Sequence, residues 1–176
     1  MLNKLKKQNK PKIIFTDFDG CLTDDRVWLN QDGEEFIAAN RKDGMAIHFF
    51  KELGIAVVIT STETNKVVTA RAQKLGIEAL QGLTDKVEAI ENYLLKNSLS
   101  WKDSWYIGND VNDLGAIKKA KFSICPNDAV KVVRKEVDLK LKTKGGYGIL
   151  AEVVTLIYKS EDMSINFFSN SQQSES

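Results

Sequence analysis

Short apolar runs alternate with stretches of helical periodicity along most of the chain. Ile13-Ile14-Phe15-Thr16 and Ile55-Ala56-Val57-Val58-Ile59-Thr60 are continuous and apolar, as in strands covered on both faces. Ile77 to Leu80, Ser104-Trp105-Tyr106-Ile107, Phe122-Ser123-Ile124-Cys125 and Val137-Asp138-Leu139 read as shorter strands. Between them, Met45, Ala46, Phe49, Phe50 and Leu53 recur at helical spacing behind Asp43 as cap, with Gly54 as the stop. Val67, Val68, Ala72 and Leu75 mark a second helix ending at Gly76. Asp85 with Glu88 three residues on opens a third, running to Leu95. Further helices are predicted over Val111 to Ala120, Ala129 to Lys135 and Gly148 to Tyr158. Strands separated by helices predict an α/β fold, a Rossmann-like parallel sheet flanked by helices.

One stretch breaks the alternation. Arg26-Val27-Trp28-Leu29-Asn30 and Glu35-Phe36-Ile37-Ala38-Ala39 lean toward strand and join across Asp32-Gly33, so residues 26–39 predict a short β-hairpin inserted after the first strand. It is too short to form a capping domain. Residues 1–11 are basic without an apolar signal core and read as a flexible arm, residues 12–159 as one domain, and residues 160–176 as a polar, serine-rich tail, disordered by composition. The Phe167-Phe168 pair in that tail is a candidate contact for a partner subunit.

Charge narrows the partners. The chain carries 25 basic and 24 acidic residues, a net +1, so no global field favours nucleic acid, and any anionic substrate must be held by local groups. No apolar stretch approaches the ~20 residues that span a bilayer. Cys21 and Cys125 lie in apolar contexts without metal or disulfide spacing, which predicts buried thiols in a reducing, cytoplasmic compartment. The single histidine, His48, falls on a helix facing away from the polar strand ends; Trp28, Trp101 and Trp105 read as core or interface residues.

Candidate chemistry sits where strands end. Asp17-Phe18-Asp19-Gly20 follows the first strand at once, and alternation puts both carboxylates on one side. At the carboxyl end of a parallel strand that is a ligand position, and two acids there without a Lys or Arg between them call for a cation. Magnesium is the simplest, since it takes oxygen ligands and shares its shell with phosphate. Thr60-Ser61-Thr62-Glu63, Asp85-Lys86 and Gly108-Asn109-Asp110-Val111-Asn112-Asp113 supply three further polar segments. A bland reading exists for each: a turn at Asp17 to Gly20, a helix cap at Ser61, a first-turn acid at Glu63 and a surface lysine at Lys86.

Together, Asp-Phe-Asp-Gly-Cys-Leu-Thr, a hydroxyl after the second strand, a later lysine and Gly-Asn-Asp-Val-Asn-Asp resemble, in order and spacing over residues 12–158, the four motifs of the haloacid dehalogenase (HAD) superfamily of phosphatases. The hairpin, Arg41-Lys42-Asp43-Gly44, Gln81-Gly82 and Gly145-Gly146-Tyr147-Gly148 are similar to its small, cap-less members acting on phosphorylated 2-keto-3-deoxy sugar acids, a domain also found fused to enzymes that activate sialic acids with a cytidine nucleotide. The resemblance implies Asp17 as nucleophile, Asp19 as general acid and base, Lys86 and Ser61 with Gly20 as phosphate-holding groups, and Mg2+ held by Asp17, the Asp19 carbonyl and Asn109, with Asp110 and Asp113 behind them. Many relatives carry aspartate where this chain has Asn109, which removes one charge from the metal site.

The same resemblance implies a homotetramer in which hairpins meet and a neighbour covers the open site. Glu63 and Lys74 match the nine-carbon phosphatases, whereas eight-carbon enzymes place arginine at the Glu63 position. A glutamate accepts hydrogen bonds from sugar hydroxyls, while arginine seeks a carboxylate. Two rival readings are an eight-carbon sugar-acid phosphatase and a catalytically weak oligomerisation module derived from the fold.

Overall fold

The computed structural model describes residue 5 and residues 8–160. Six parallel strands form the main sheet: β1 (Ile13–Thr16), β4 (Ala56–Thr60), β5 (Glu78–Leu80), β6 (Ser104–Ile107), β7 (Phe122–Cys125) and β8 (Leu139–Lys140), in the spatial order β5-β4-β1-β6-β7-β8. Counting main-sheet strands alone, the order is 3-2-1-4-5-6, the doubly wound arrangement that opens a crevice where the winding reverses. That reversal falls between β1 and β6, so the carboxyl end of β1 lies at the crevice.

Both faces of the sheet are covered. α1 (Arg41–Glu52), α2 (Lys66–Leu75) and α6 (Ile149–Ser160) close one layer over Ile14, Val57, Ile59, Trp105 and Ile107. α3 (Lys86–Lys96), α4 (Leu114–Lys119) and α5 (Lys131–Glu136) close the other over Ile13, Phe15, Val58 and Tyr106. Each residue of β1, β6 and β7 is buried, which is why these runs carry no polar alternation. Leu5 is buried with the first of these layers. Among the described residues, no helix is long and apolar enough to cross a membrane. The tail with Phe167 and Phe168 lies outside the described residues.

The hairpin forms as expected, β2 (Trp28–Leu29) pairing antiparallel with β3 (Glu35–Phe36) as a separate two-stranded sheet. It packs little of itself away: Val27, Trp28, Leu29 and Phe36 are all more than half exposed or at half exposure.

Several local expectations are corrected. Asn40, not Asp43, caps α1: its backbone is extended and its side chain accepts from the Lys42 N–H. Asp43 instead sits buried in the first turn, where its Oδ1 accepts from Leu150 N–H at 3.1 Å and so ties α1 to the start of α6. The helix expected from Val111 begins as a 3-10 turn, Val111–Asp113, because Asp110 and Asp113 cap each other's backbone reciprocally, and α4 follows. The helix expected from Ala129 starts two residues later at Lys131, and the last strand is Leu139–Lys140 in place of 137–139.

Candidate active site

β1 is hydrogen-bonded between β4 and β6, with Thr16 level with Ile59 and Ile107, so the residues that follow these three strands emerge together. From β1 come Asp17 and Asp19, from β4 Ser61, and from β6 Asn109. Asp17 continues the ladder, its N–H donating to the Ile107 carbonyl at 2.9 Å. The chain then turns back on itself, with the N–H groups of Cys21, Leu22 and Thr23 all reaching the Phe18 carbonyl.

Lys86 is the first residue of α3, directly after the cap Asp85, which accepts from the N–H groups of Val87 and Glu88. It is no surface lysine. At 4% exposure its ammonium lies 2.9 Å from Asp17 Oδ1 and 2.7 Å from Asp113 Oδ1. Burial works against that ammonium, yet the two carboxylates outweigh it and its pKa is raised. Burial, and after it the Asp113 carboxylate, push Asp17 up to about 7 against the pull of Lys86. One ammonium between two buried carboxylates leaves a net negative charge, and a divalent cation beside Asp17 would draw its pKa back down.

Asp113 is fully buried and holds the fourth segment together. Its Oδ2 accepts from the N–H groups of Asn109 and Asp110, at 2.8 and 3.1 Å, while Oδ1 accepts from Lys86 and from the Tyr106 hydroxyl. Asp110 turns inward on its own loop, its carboxylate accepting from Val111 N–H at 2.6 Å.

Asn109 supplies the test of a cation site. Its amide oxygen stands 3.3 Å from Asp17 Oδ2 and 2.9 Å from the Asp19 carbonyl oxygen, both acceptors. Its near donor is the weak Cys21 thiol at 3.6 Å. Turning the amide over would let its nitrogen donate to both oxygens. Three converging oxygens are nevertheless the arrangement a hard cation selects: neighbouring oxygens around octahedral magnesium, with bonds of about 2.0–2.1 Å, lie about 2.9 Å apart. The donor set of carboxylate, carbonyl and amide fits magnesium. Gly20 makes the convergence possible, because a side chain there would overlap the Asn109 amide, its Cβ falling 2.0 Å from Nδ2. Gly145 presses on the same turn from outside, where a Cβ would stand 2.0 Å from the Gly20 carbonyl oxygen. Among the described residues no group of three His, Cys, Asp or Glu side chains could form a metal cage, so a cation here depends on the carbonyl and the amide.

Asp19 is half-buried, and its Oδ1 accepts from the Thr23 hydroxyl at 3.3 Å. Burial raises its pKa, the Thr23 hydrogen bond opposes this, and the carboxylates of Asp25 and Glu63 push it further up. That direction suits a group that must donate a proton near neutrality.

Ser61 is buried, and its Oγ accepts from Glu63 N–H at 3.1 Å. It does not cap α2; Asn65 does, accepting from Val67 N–H. Glu63 likewise precedes the helix, and its carboxylate accepts from the N–H groups of Thr64 and Asn65 at 2.6 and 2.9 Å. Lys74 is exposed in the last turn of α2, a helix of ten residues that rises about 15 Å, so within one chain it stays away from this cluster. His48 is exposed on α1 and takes no part.

Four supporting residues carried no assigned role in the sequence reading. Thr23 orients Asp19. Gln81 donates to the Asn65 carbonyl at 2.6 Å and accepts from Thr69 at 2.5 Å, bracing the loop that bears Ser61 and Glu63. Asn65 also donates to Glu35 of the hairpin at 2.7 Å. Tyr106 reaches Asp113 from the core at 2.6 Å. Their signal in the sequence is faint: a polar group inside or just after an apolar strand.

No family model matches the chain. Solved structures do. A HAD family hydrolase from Streptomyces avermitilis is 33% identical, with 87% of this chain and 90% of that chain covered at a TM-score of 0.83. The 3-deoxy-D-manno-octulosonate 8-phosphate phosphatase of Moraxella catarrhalis, crystallised with magnesium ion, phosphate ion and KDO, is 30% identical, covering 92% of each chain at a TM-score of 0.83. Among curated proteins, the 3-deoxy-D-manno-octulosonate 8-phosphate phosphatase of Escherichia coli K12 is 29% identical over 87% of this chain and 82% of its own length. The N-acylneuraminate cytidylyltransferase A of Danio rerio is 27% identical over 82% of this chain. The chain spans about a third of the length of the cytidylyltransferases it matches, 35% in each of two cases. The fold is a doubly wound α/β sheet with polar groups gathered at the carboxyl ends of its central strands. The chain belongs to the haloacid dehalogenase family.

Proposed function

We propose that the chain is a magnesium-dependent phosphomonoesterase acting on a phosphorylated 2-keto-3-deoxy sugar acid, with a nine-carbon substrate favoured. The observation that carries this reading is the approach of the Asn109 amide to Asp17 Oδ2 at 3.3 Å and to the Asp19 carbonyl at 2.9 Å, beside the buried Lys86.

In this reading the Asp17 carboxylate attacks phosphorus in line, forming an aspartyl phosphate as the bond to the sugar oxygen breaks. Asp19 gives its proton to that oxygen, then takes one from the water that hydrolyses the acyl phosphate and frees inorganic phosphate. Lys86 and the Ser61 hydroxyl hold the phosphate oxygens, and Gly20 keeps the turn open to them. A magnesium ion held by Asp17, the Asp19 carbonyl and Asn109 would offset the repulsion between anionic nucleophile and anionic substrate. Asp113 and Asp110 shape the loop behind it.

Glu63 favours the longer sugar, since a carboxylate beside Asp19 accepts hydrogen bonds from a polyhydroxylated chain. The eight-carbon alternative is supported by the relatives named as octulosonate phosphatases. The exposed hairpin residues Val27, Trp28, Leu29 and Phe36 support a homotetramer, in which a neighbour would close the open site. Two buried free thiols, Cys21 and Cys125, suit a reducing cytoplasm.

The test is phosphate release from paired eight- and nine-carbon sugar-acid phosphates, with magnesium and with chelator, for wild type and Asp17→Asn. Magnesium-dependent turnover that vanishes in Asp17→Asn is expected, with higher kcat/KM on the nine-carbon substrate. Glu63→Arg should move that ratio toward eight carbons. No turnover on either by a folded protein would favour the scaffold reading, in which the domain serves assembly.

A further inference from the structure

Beneath the carboxylates lies a hydroxyl with no part in the chemistry above. Tyr106, in β6, is fully buried, its ring in the layer that Phe15, Val58 and Ile90 share with α3. Its phenol donates to Asp113 Oδ1 at 2.6 Å, and that same oxygen accepts from Lys86 Nζ at 2.7 Å. On the other side, Thr60 Oγ1 at the end of β4 lies 3.3 Å from the phenol oxygen and 3.3 Å from the Thr16 carbonyl. A line of polar groups therefore runs from β1 and β4 through the core to Lys86.

The types of these groups fix the direction of the bond. An ammonium cannot accept, so the Lys86 proton must go to Asp113, and the phenol proton goes to the same oxygen. Asp113 Oδ2 is meanwhile held by the N–H groups of Asn109 and Asp110. Four donors thus pin the carboxylate at both oxygens. Of the three ammonium protons of Lys86, one goes to Asp113 and one to Asp17 Oδ1 at 2.9 Å, leaving one for a third partner. Were the phenol absent, Oδ1 would have Lys86 as its remaining partner, and the carboxylate could swing toward it and draw the ammonium off Asp17. A core tyrosine with a merely structural hydrogen bond has no need to use the oxygen that orients this lysine.

We propose that Tyr106 is a positioning residue for phosphoryl transfer: its hydroxyl fixes the Asp113 carboxylate and, through it, aims Lys86 at Asp17 and at the incoming phosphate. The inference rests on the proposed roles of Asp17 and Lys86. Since it concerns alignment more than ground-state affinity, the loss of the hydroxyl falls on kcat and leaves KM nearly untouched.

Tyr106→Phe removes one oxygen and keeps the ring. In the full chain, turnover of p-nitrophenyl phosphate with magnesium is followed beside the thermal midpoint and the affinity for beryllium fluoride, which seats on the nucleophilic carboxylate as a phosphoryl mimic and needs no knowledge of the sugar. The expected result is a kcat lower by about 10-fold, with KM within about 2-fold and weaker beryllium fluoride binding. In an Asp113→Asn background, the same substitution should change kcat by less than about 2-fold, because the relay is already cut. Wild-type kcat and fluoride affinity in Tyr106→Phe would overturn the inference, as would an equal fold-loss in both backgrounds. A wild-type protein that neither hydrolyses the aryl phosphate nor binds beryllium fluoride would instead sink the proposed function, and this inference with it.

Discussion

The amide oxygen of Asn109 lies 2.9 Å from the carbonyl oxygen of Asp19, two acceptors at hydrogen-bond distance with no proton to share. Turning the amide over puts an N–H donor in that place, whereas a cation between the two oxygens keeps the amide oxygen inward as a ligand. Asn109→Asp should therefore tighten magnesium binding by about 10-fold, by adding a formal charge to the ligand set, and Asn109→Ala should weaken it by at least as much. The measurement is the magnesium concentration at which the thermal midpoint rises. An unchanged midpoint in all three proteins would place the cation elsewhere.

Lys86 is the sole described cation bonded to Asp17 and Asp113, with 2% of its side chain exposed. Lys86→Ala leaves two buried carboxylates uncompensated and should cost about 3–5 kcal/mol in denaturant unfolding. Asp17→Asn removes one of those charges and should be far milder. Combining the two should recover part of the loss, and simple additivity would show that the pair is not coupled as the distances indicate.

Asp43 makes stability depend on pH. Its Oδ1 accepts from Leu150 N–H while Oδ2 has no hydrogen-bond partner among the described residues. Burial pushes its pKa up to about 6, opposed by the Leu150 hydrogen bond and by Arg71 from α2. A carboxyl raised in the folded state contributes stability that is complete below its unfolded value, near 4, and lost as pH climbs through 6. Relative to Asp43→Asn, the wild type should lose up to about 3 kcal/mol between pH 4 and pH 7, read from urea midpoints at constant ionic strength. A flat difference across that range would show that Asp43 is not buried as a carboxyl.

The hairpin should govern assembly. Trp28 and Leu29 are 64% and 68% exposed on a two-stranded ribbon that packs little of itself into the core. Trp28→Glu with Leu29→Lys should lower the mass measured by light scattering toward that of one chain and leave the melting of the domain nearly unchanged. A wild type already of one-chain mass would remove the homotetramer from the proposal.

The sequence by itself determined the order of strands and helices, the hairpin and the polar segments that end three of the strands. Those are local matters: a run such as Ile55 to Thr60 is apolar because both of its faces are covered, and Asp32-Gly33 turns the chain whatever surrounds it. Tertiary structure decided which polar groups meet. Asn40 and Asp43 are both capping types, three residues apart, and Asp43 leaves the role because its carboxylate faces Leu150, 107 positions away. The first turn of a helix, where the dipole disfavours a cation, marks Lys86 locally as unusual; Asp113, 27 positions on, shows that it is buried and paired. Tyr106 reads as one more apolar strand residue until its hydroxyl is seen against that same carboxylate. Hydrophobic period is written residue by residue, whereas a buried hydrogen bond or ion pair belongs to two distant positions and exists only once the sheet has brought their strands side by side.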